Sequence, residues 1–223
     1  MDDIKSINKL TLIQDNIKKI GINNFIKPEI ICVSKTFSID VLRPLIDRGH
    51  IHFGENKVQE AEKKWTKIKE SNSALKLHKI GKLQSNKAKK AVELFDFIHS
   101  LDSAKLADVL KKRELELNKK LSYFIQVNVG SESQKAGITT DIVSDFLKYC
   151  SNEVKLNVIG LMIIPPNDNN TEKYFEKISK LNSNLGLKHL SMGMSSDYEV
   201  AVKFNSTFLR IGSAILGERN INK

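Results

Sequence analysis

With 223 residues, 40% of them hydrophobic, the chain can fill one domain of barrel or doubly wound size, and no segment approaches the roughly 18 uninterrupted apolar residues that a membrane span needs. Two cysteines, Cys32 and Cys150, cannot build a disulfide framework or a cysteine-based zinc site. The formal charge is +10, but the excess is lysine scattered over amphipathic stretches and arginine is scarce, so solvated faces account for it and neither nucleic acid nor membrane is expected as a partner.

The start, Met1-Asp2-Asp3-Ile4-Lys5, alternates charge with apolar residues and has no continuous apolar core of a targeting peptide, which implies an untargeted cytoplasmic protein. A first helix follows, with Leu10, Ile13, Ile17 and Ile20 on one stripe and Gly21 as its stop. The first strand, 30–33, is short, apolar and β-branched, and it runs into Ser34-Lys35-Thr36. A helical pattern over 38–48 contains Pro44, which lacks an amide donor and clashes with the preceding turn, so this helix is expected to start late or kink.

Further strands are predicted at 51–53, 77–80, 97–99, 123–129, 158–163, 189–191 and 208–211. Helices between them show apolar residues at helical spacing: Val58, Ala61, Trp65 and Ile68; Leu106, Val109, Leu110 and Leu117; Tyr174, Phe175, Ile178 and Leu181. No linker or low-complexity tract interrupts the series, so residues 1–223 are read as one domain. Eight strand-then-helix units argue for a (β/α)8 TIM-type barrel with an extra N-terminal helix, and a doubly wound open sheet is the alternative.

In such a barrel the chemistry sits at the C-terminal ends of the strands, and phosphate is held after the seventh and eighth. Those two loops here are Ser191-Met192-Gly193-Met194-Ser195-Ser196 and Arg210-Ile211-Gly212-Ser213. Glycines let backbone amides approach an anion and serines add donors, although each glycine alone could equally serve a tight turn. Lys35, at the end of an apolar strand, could snorkel into water and mean nothing. Held among apolar neighbours it would instead offer a neutral amine for addition to a carbonyl. An aldehyde that also carries a phosphate points to pyridoxal 5'-phosphate. His50 and His52 share a strand face but lack a third ligand, so no metal is expected, and His78 and His189 are read as core or surface residues.

These residues carry a resemblance. The segments Val33-Ser34-Lys35-Thr36, Phe53-Gly54-Glu55-Asn56, Leu83-Gln84-Ser85-Asn86-Lys87, Gly160-Leu161-Met162, Leu190-Ser191-Met192-Gly193-Met194-Ser195 and Arg210-Ile211-Gly212 resemble, in order, the pyridoxal phosphate homeostasis protein family. The resemblance implies a barrel like the N-terminal domain of bacterial alanine racemase (fold type III), with pyridoxal phosphate as a Schiff base on Lys35. It also implies Arg210 facing the pyridine nitrogen, Asn56 near the ring, Ser191, Ser195, Gly212 and Ser213 around the phosphate, and Met192 among the cofactor-binding residues. Ser213 departs from the threonine associated with that position and keeps the hydroxyl.

Racemases of this type need a tyrosine from a second domain to work on the face opposite the lysine. This chain ends at Lys223, and of Tyr123, Tyr149, Tyr174 and Tyr198 only the last stays open as such a base. The resemblance therefore implies a monomeric, non-catalytic carrier of pyridoxal phosphate whose recipients would be apo enzymes that use it. The alternative is a racemase-like enzyme.

Overall fold

In the computed structural model, which describes residues 2–20, 27–130 and 136–218, eight parallel strands close on themselves. They are β1 Glu29–Val33, β2 His52–Glu55, β3 Lys76–Lys79, β4 Phe97–Leu101, β5 Ser122–Asn128 and, after a two-residue strand β6 Ile138–Thr139 that sits beside β5 outside the ring, β7 Val158–Ile163, β8 His189–Ser191 and β9 Phe208–Ile211. The ring shuts where β9 pairs with β1 and β4 with β5, which excludes the open sheet. Parallel neighbours need crossovers, and helices supply them: α2 Ile39–Asp47, α3 Val58–Ser71, α4 Ala88–Leu94, α5 Ala104–Glu116, α6 Val143–Lys148, α7 Thr171–Asn184 and α8 Tyr198–Lys203, with the short α9 Ser213–Leu216 following the last strand. The N-terminal helix α1, Asp2–Ile20, packs against α2, α8 and α9. Gly21, expected to stop it, lies outside the described residues.

Side chains alternate across each strand and so divide into two cores. On β1, Ile30 and Cys32 join the layer between strands and helices, whereas Ile31 points inward. On β9, Leu209 and Ile211 face the helices while Phe208 joins Ile31, Phe124 and Met162 inside the barrel. The interior is thus filled with side chains, as in other barrels of this type.

The late start expected from Pro44 does not occur. Helix α2 begins directly after Ser38 and carries Pro44 inside it. An internal proline costs about 3 kcal/mol, whereas fully burying Leu42 and Leu45 contributes roughly 1.5–3 kcal/mol each, so packing carries the helix across the proline.

Candidate functional site

A cavity of about 400 Å³ opens at the C-terminal ends of the strands, within the usual size range of small-molecule sites. Val33, Lys35 and Phe37 reach it from the β1 end, Asn56 from β2, and Ile80 and Gly81 from β3. Ile164 comes from β7, Met194, Ser195 and Ser196 from β8, and Arg210, Gly212, Ser213 and Gly217 from β9. Of the residues expected from sequence, Lys35, Asn56, Ser195, Arg210, Gly212 and Ser213 meet there. Ser191 and Met192, both fully buried, do not line it.

Lys35 sits in a turn closed by the Phe37 amide donating to the Ser34 carbonyl at 3.1 Å, with Thr36 at φ 70° in the left-handed region. A β-branched residue pays for that conformation, so the surroundings must hold it. They do so through Ser34. Its amide donates to the Gly54 carbonyl at 3.0 Å and its hydroxyl to Glu55 Oε1 at 2.7 Å. Lys64 Nζ donates at 2.8 Å both to the Ser34 carbonyl and to Glu55 Oε1, which also accepts from Trp65 Nε1 at 2.9 Å. A buried ion pair outside the barrel therefore anchors the backbone that presents the lysine inside it.

Lys35 is the one lysine among the described residues that lines the cavity. Lys79, whose amine burial pushes down to about 8, is spent on the carbonyls of Gly81 and, at 3.0 Å, Lys82. The Cys32 thiol is raised far above its usual range by burial and by Glu55, so it is no competing nucleophile.

Arg210 is inward and almost wholly buried, because it alternates along β9 with Leu209 and Ile211, which face the helices. Its Nη1 donates to Ser191 Oγ and its Nη2 to the Ile163 carbonyl, each at 2.7 Å. Burial lowers it to about 10, against the field of Asp197, so it stays charged at neutral pH. Ser191, expected around a phosphate, lies against the guanidinium in this structure. Its hydroxyl is committed to Arg210 and, at 2.9 Å, to His99 Nδ1. Met192, the residue just after the strand, packs in the outer core.

At the other end of the cavity Ser195 Oγ accepts from the amides of Gly212 at 3.3 Å and Ala214 at 3.2 Å. Two converging amides and a hydroxyl, flanked by Ser196 and Ser213, are a donor set for an anion. Gly193, at φ 92°, lets the β8 loop turn there, and a Cβ would strike Ala201 at 2.6 Å. Gly81 packs so close to the Asn56 backbone, with a Cβ only 3.0 Å from its carbonyl, that Asn56 is held at the rim.

None of the four tyrosines lines the cavity. Tyr123 donates to Glu114 at 2.9 Å, Tyr149 to Asp108 at 2.6 Å and Tyr174 to Asp168 at 3.0 Å. Tyr198, left open by the sequence, donates to Glu199 at 3.1 Å and accepts from Asn16 of α1 at 3.3 Å. Sequence reasoning missed Ile164 and Phe37, apolar lining that nothing in their local pattern marks out, and Ser196, which neighbours an expected residue.

The profile of the family described as "Alanine racemase, N-terminal domain" matches residues 9–220. The chain is 39% identical to the "Pyridoxal phosphate homeostasis protein" of Aquifex aeolicus, over 83% of this chain and 85% of that one. The protein of the same name from Haemophilus influenzae is 36% identical, over 96% and 95%. The chain belongs to the pyridoxal phosphate homeostasis protein family. Among solved structures, PipY of Synechococcus elongatus with PLP bound superposes with a TM-score of 0.78 at 33% identity, covering 90% of this chain and all of that one, 100%. Within this family the barrel just described is the shared scaffold, and the cavity lies where barrels of this kind keep their chemistry. Among the described residues no helix is long and apolar enough to cross a membrane, and no group of three or more His, Cys, Asp or Glu could hold a metal.

Proposed function

We propose that this chain binds pyridoxal 5'-phosphate in the barrel-mouth cavity as a Schiff base on Lys35, and carries the cofactor without turning over an amino acid. The observation that carries this reading is the meeting, in one cavity of about 400 Å³, of an amine, a buried guanidinium and a cluster of anion donors. The residues fit the group: Lys35 matches its aldehyde, Arg210 its ring nitrogen, and Ser195 with the Gly212 and Ala214 amides its phosphate. The PLP-bound relative, and the name of the family, support the same ligand.

When bound, the cofactor supplies an electrophilic carbon and a ring able to withdraw electrons. The chain's own residues restrain that chemistry. Arg210 has only donors and remains charged, so it leaves a facing ring nitrogen unprotonated and the ring a weak electron sink. The committed tyrosine hydroxyls leave the face opposite Lys35 without a phenolic base. In this reading residues 1–223 act as one monomeric cytoplasmic unit that hands pyridoxal phosphate to apo enzymes.

The test is the absorption spectrum of purified protein incubated with pyridoxal phosphate, followed by borohydride reduction and peptide mass mapping. A Schiff-base band and a pyridoxyl mass on Lys35 are expected, both lost in Lys35→Ala. No band, or a mass on another lysine, would overturn the reading.

A further inference from the structure

From the floor of the cavity a line of hydrogen bonds descends through the barrel. Arg210 Nη1 donates to Ser191 Oγ at 2.7 Å, and Ser191 Oγ lies 2.9 Å from His99 Nδ1. His99 Nε2 lies 2.9 Å from His78 Nδ1, and His78 Nε2 lies 2.9 Å from His52 Nδ1. His52 Nε2 ends the line 3.7 Å from Glu29 Oε2, at the opposite mouth of the barrel. Ser191, His78 and His99 are wholly buried. Phe97 stacks on His78 and Phe124 on His99, each at 4.3 Å between ring centres, which fixes the imidazole planes.

The guanidinium decides the direction of every link, because it can donate but never accept. Ser191 therefore receives from Arg210 and must place its own hydrogen on His99 Nδ1. A lone pair at Nδ1 puts the His99 proton on Nε2, which makes His78 Nδ1 an acceptor, and the same step repeats at His52. The opposite polarity would leave the Ser191 hydrogen buried between two donors.

We infer that the Ser191–His99–His78–His52 column is a positioning device for Arg210, in which all three imidazoles are neutral Nε2–H tautomers and their aligned dipoles hold the guanidinium charged and aimed into the cavity. Arg210's Nη1 and Nη2 partners are both neutral oxygens, so the negative ends of the aligned dipoles supply compensation that a direct carboxylate would otherwise give. Charged groups around the column agree with this. Glu29 and Asp96 favour a proton only at the His52 end, where Lys76 opposes them, while Lys69 and Arg210 disfavour charge on His78 and His99. That Arg210 serves a bound pyridoxal phosphate rests on the function proposed above; the polarity of the column does not.

The experiment has two arms. Ring-nitrogen NMR of apo protein labelled with ¹⁵N-histidine should show His78 and His99 protonated on Nε2 alone across roughly pH 5–8. An Nδ1–H tautomer or an imidazolium at either residue overturns the inference. In the second arm Ser191→Ala, which removes one link and little volume, should weaken pyridoxal phosphate binding about tenfold and release His99 into a mixture of tautomers. Unchanged affinity with an unchanged His99 signal overturns it, as does a variant that binds normally once folded. Should wild-type protein form no adduct at Lys35, the functional reading falls while the apo spectrum still decides the column.

Discussion

Ser34 donates its hydroxyl to Glu55 across 2.7 Å, with both residues at zero exposure, and the next residue in the chain is Lys35. The backbone that presents the cavity's amine is thus held through Ser34 by the Glu55 carboxylate. Glu55 also balances Lys64, which is 13% exposed and holds the Ser34 carbonyl. Glu55→Ala should cost about 3 kcal/mol, the low end for breaking a buried ion pair, since Lys64 keeps some access to water. Denaturant unfolding would measure it. Reductive trapping at Lys35 should fall in the folded variant, and an unchanged yield together with unchanged stability would remove Glu55 from this role.

Backbone contact sets a sharper limit between β7 and β8, where Gly160 is paired with His189. A Cβ at Gly160 would lie 1.9 Å from the His189 carbonyl oxygen and 2.5 Å from its carbon. Neither atom is the free end of a side chain, so the strands themselves would have to part. Gly160→Ala should lose more than about 4 kcal/mol and expressed protein should be insoluble or molten. Gly212→Ala is the milder comparison, because its Cβ would sit 3.3 Å from Val33 Cβ and 3.4 Å from the Val33 carbonyl oxygen, a tight contact that a shift of a few tenths of an ångström relieves, and its backbone is not left-handed. Similar solubility of the two variants would contradict the close approach.

How much of this was legible before the fold was seen differs by kind of residue. The eight barrel strands announce themselves because each is a short apolar run between helical patterns, and Lys35, Ser195, Arg210 and Gly212 follow from barrel geometry, which gathers strand ends. Ser191 and Met192, which the resemblance places at the cofactor, are buried outside the cavity lining, and a motif alone does not say which face of a strand end each side chain takes. The histidine column was invisible for a related reason. His52 and His78 are 26 residues apart, His78 and His99 are 21 apart, and only closure of the ring turns all three inward at one height after another. Glu55 and Trp65 were likewise read as motif and helix stripe and Lys64 was passed over, since nothing local says that a carboxylate will be buried against the two helix residues.

Acid should destabilise the fold early. Burial pushes His50 down to about 4, and His78 and His99 well below the usual histidine range. An unfolded chain takes up protons on these residues near its ordinary value of about 6.5, whereas the folded chain does not. Below that value the unfolded state binds more protons, so stability falls as pH falls, by up to about 1.4 kcal/mol per pH unit for each such histidine. The urea midpoint should be level from pH 8 to 7 and drop steeply from 6 to 5. A midpoint that holds or rises over that lower interval would contradict neutral buried imidazoles.

The cavity presents an amine on one side and no tyrosine on any other, and this limits what it can do with an amino acid. Exchange of an α-hydrogen needs a base at the carbon and a ring that accepts the electrons left behind. Lys35 could serve as the first, but Arg210, charged and lacking any acceptor, does not stabilise the protonated ring that the second requires. Racemisation further needs an acid on the opposite face, and Tyr198, at the nearest approach in sequence, spends its hydroxyl on Glu199 and Asn16. L-Alanine incubated in deuterium oxide with the cofactor-loaded protein should therefore gain deuterium at Cα no faster than with free pyridoxal phosphate, and no D-alanine should form. Exchange at enzymatic rates that disappears in Lys35→Ala would show a working enzyme and would end the carrier reading, whatever the spectrum of the bound cofactor.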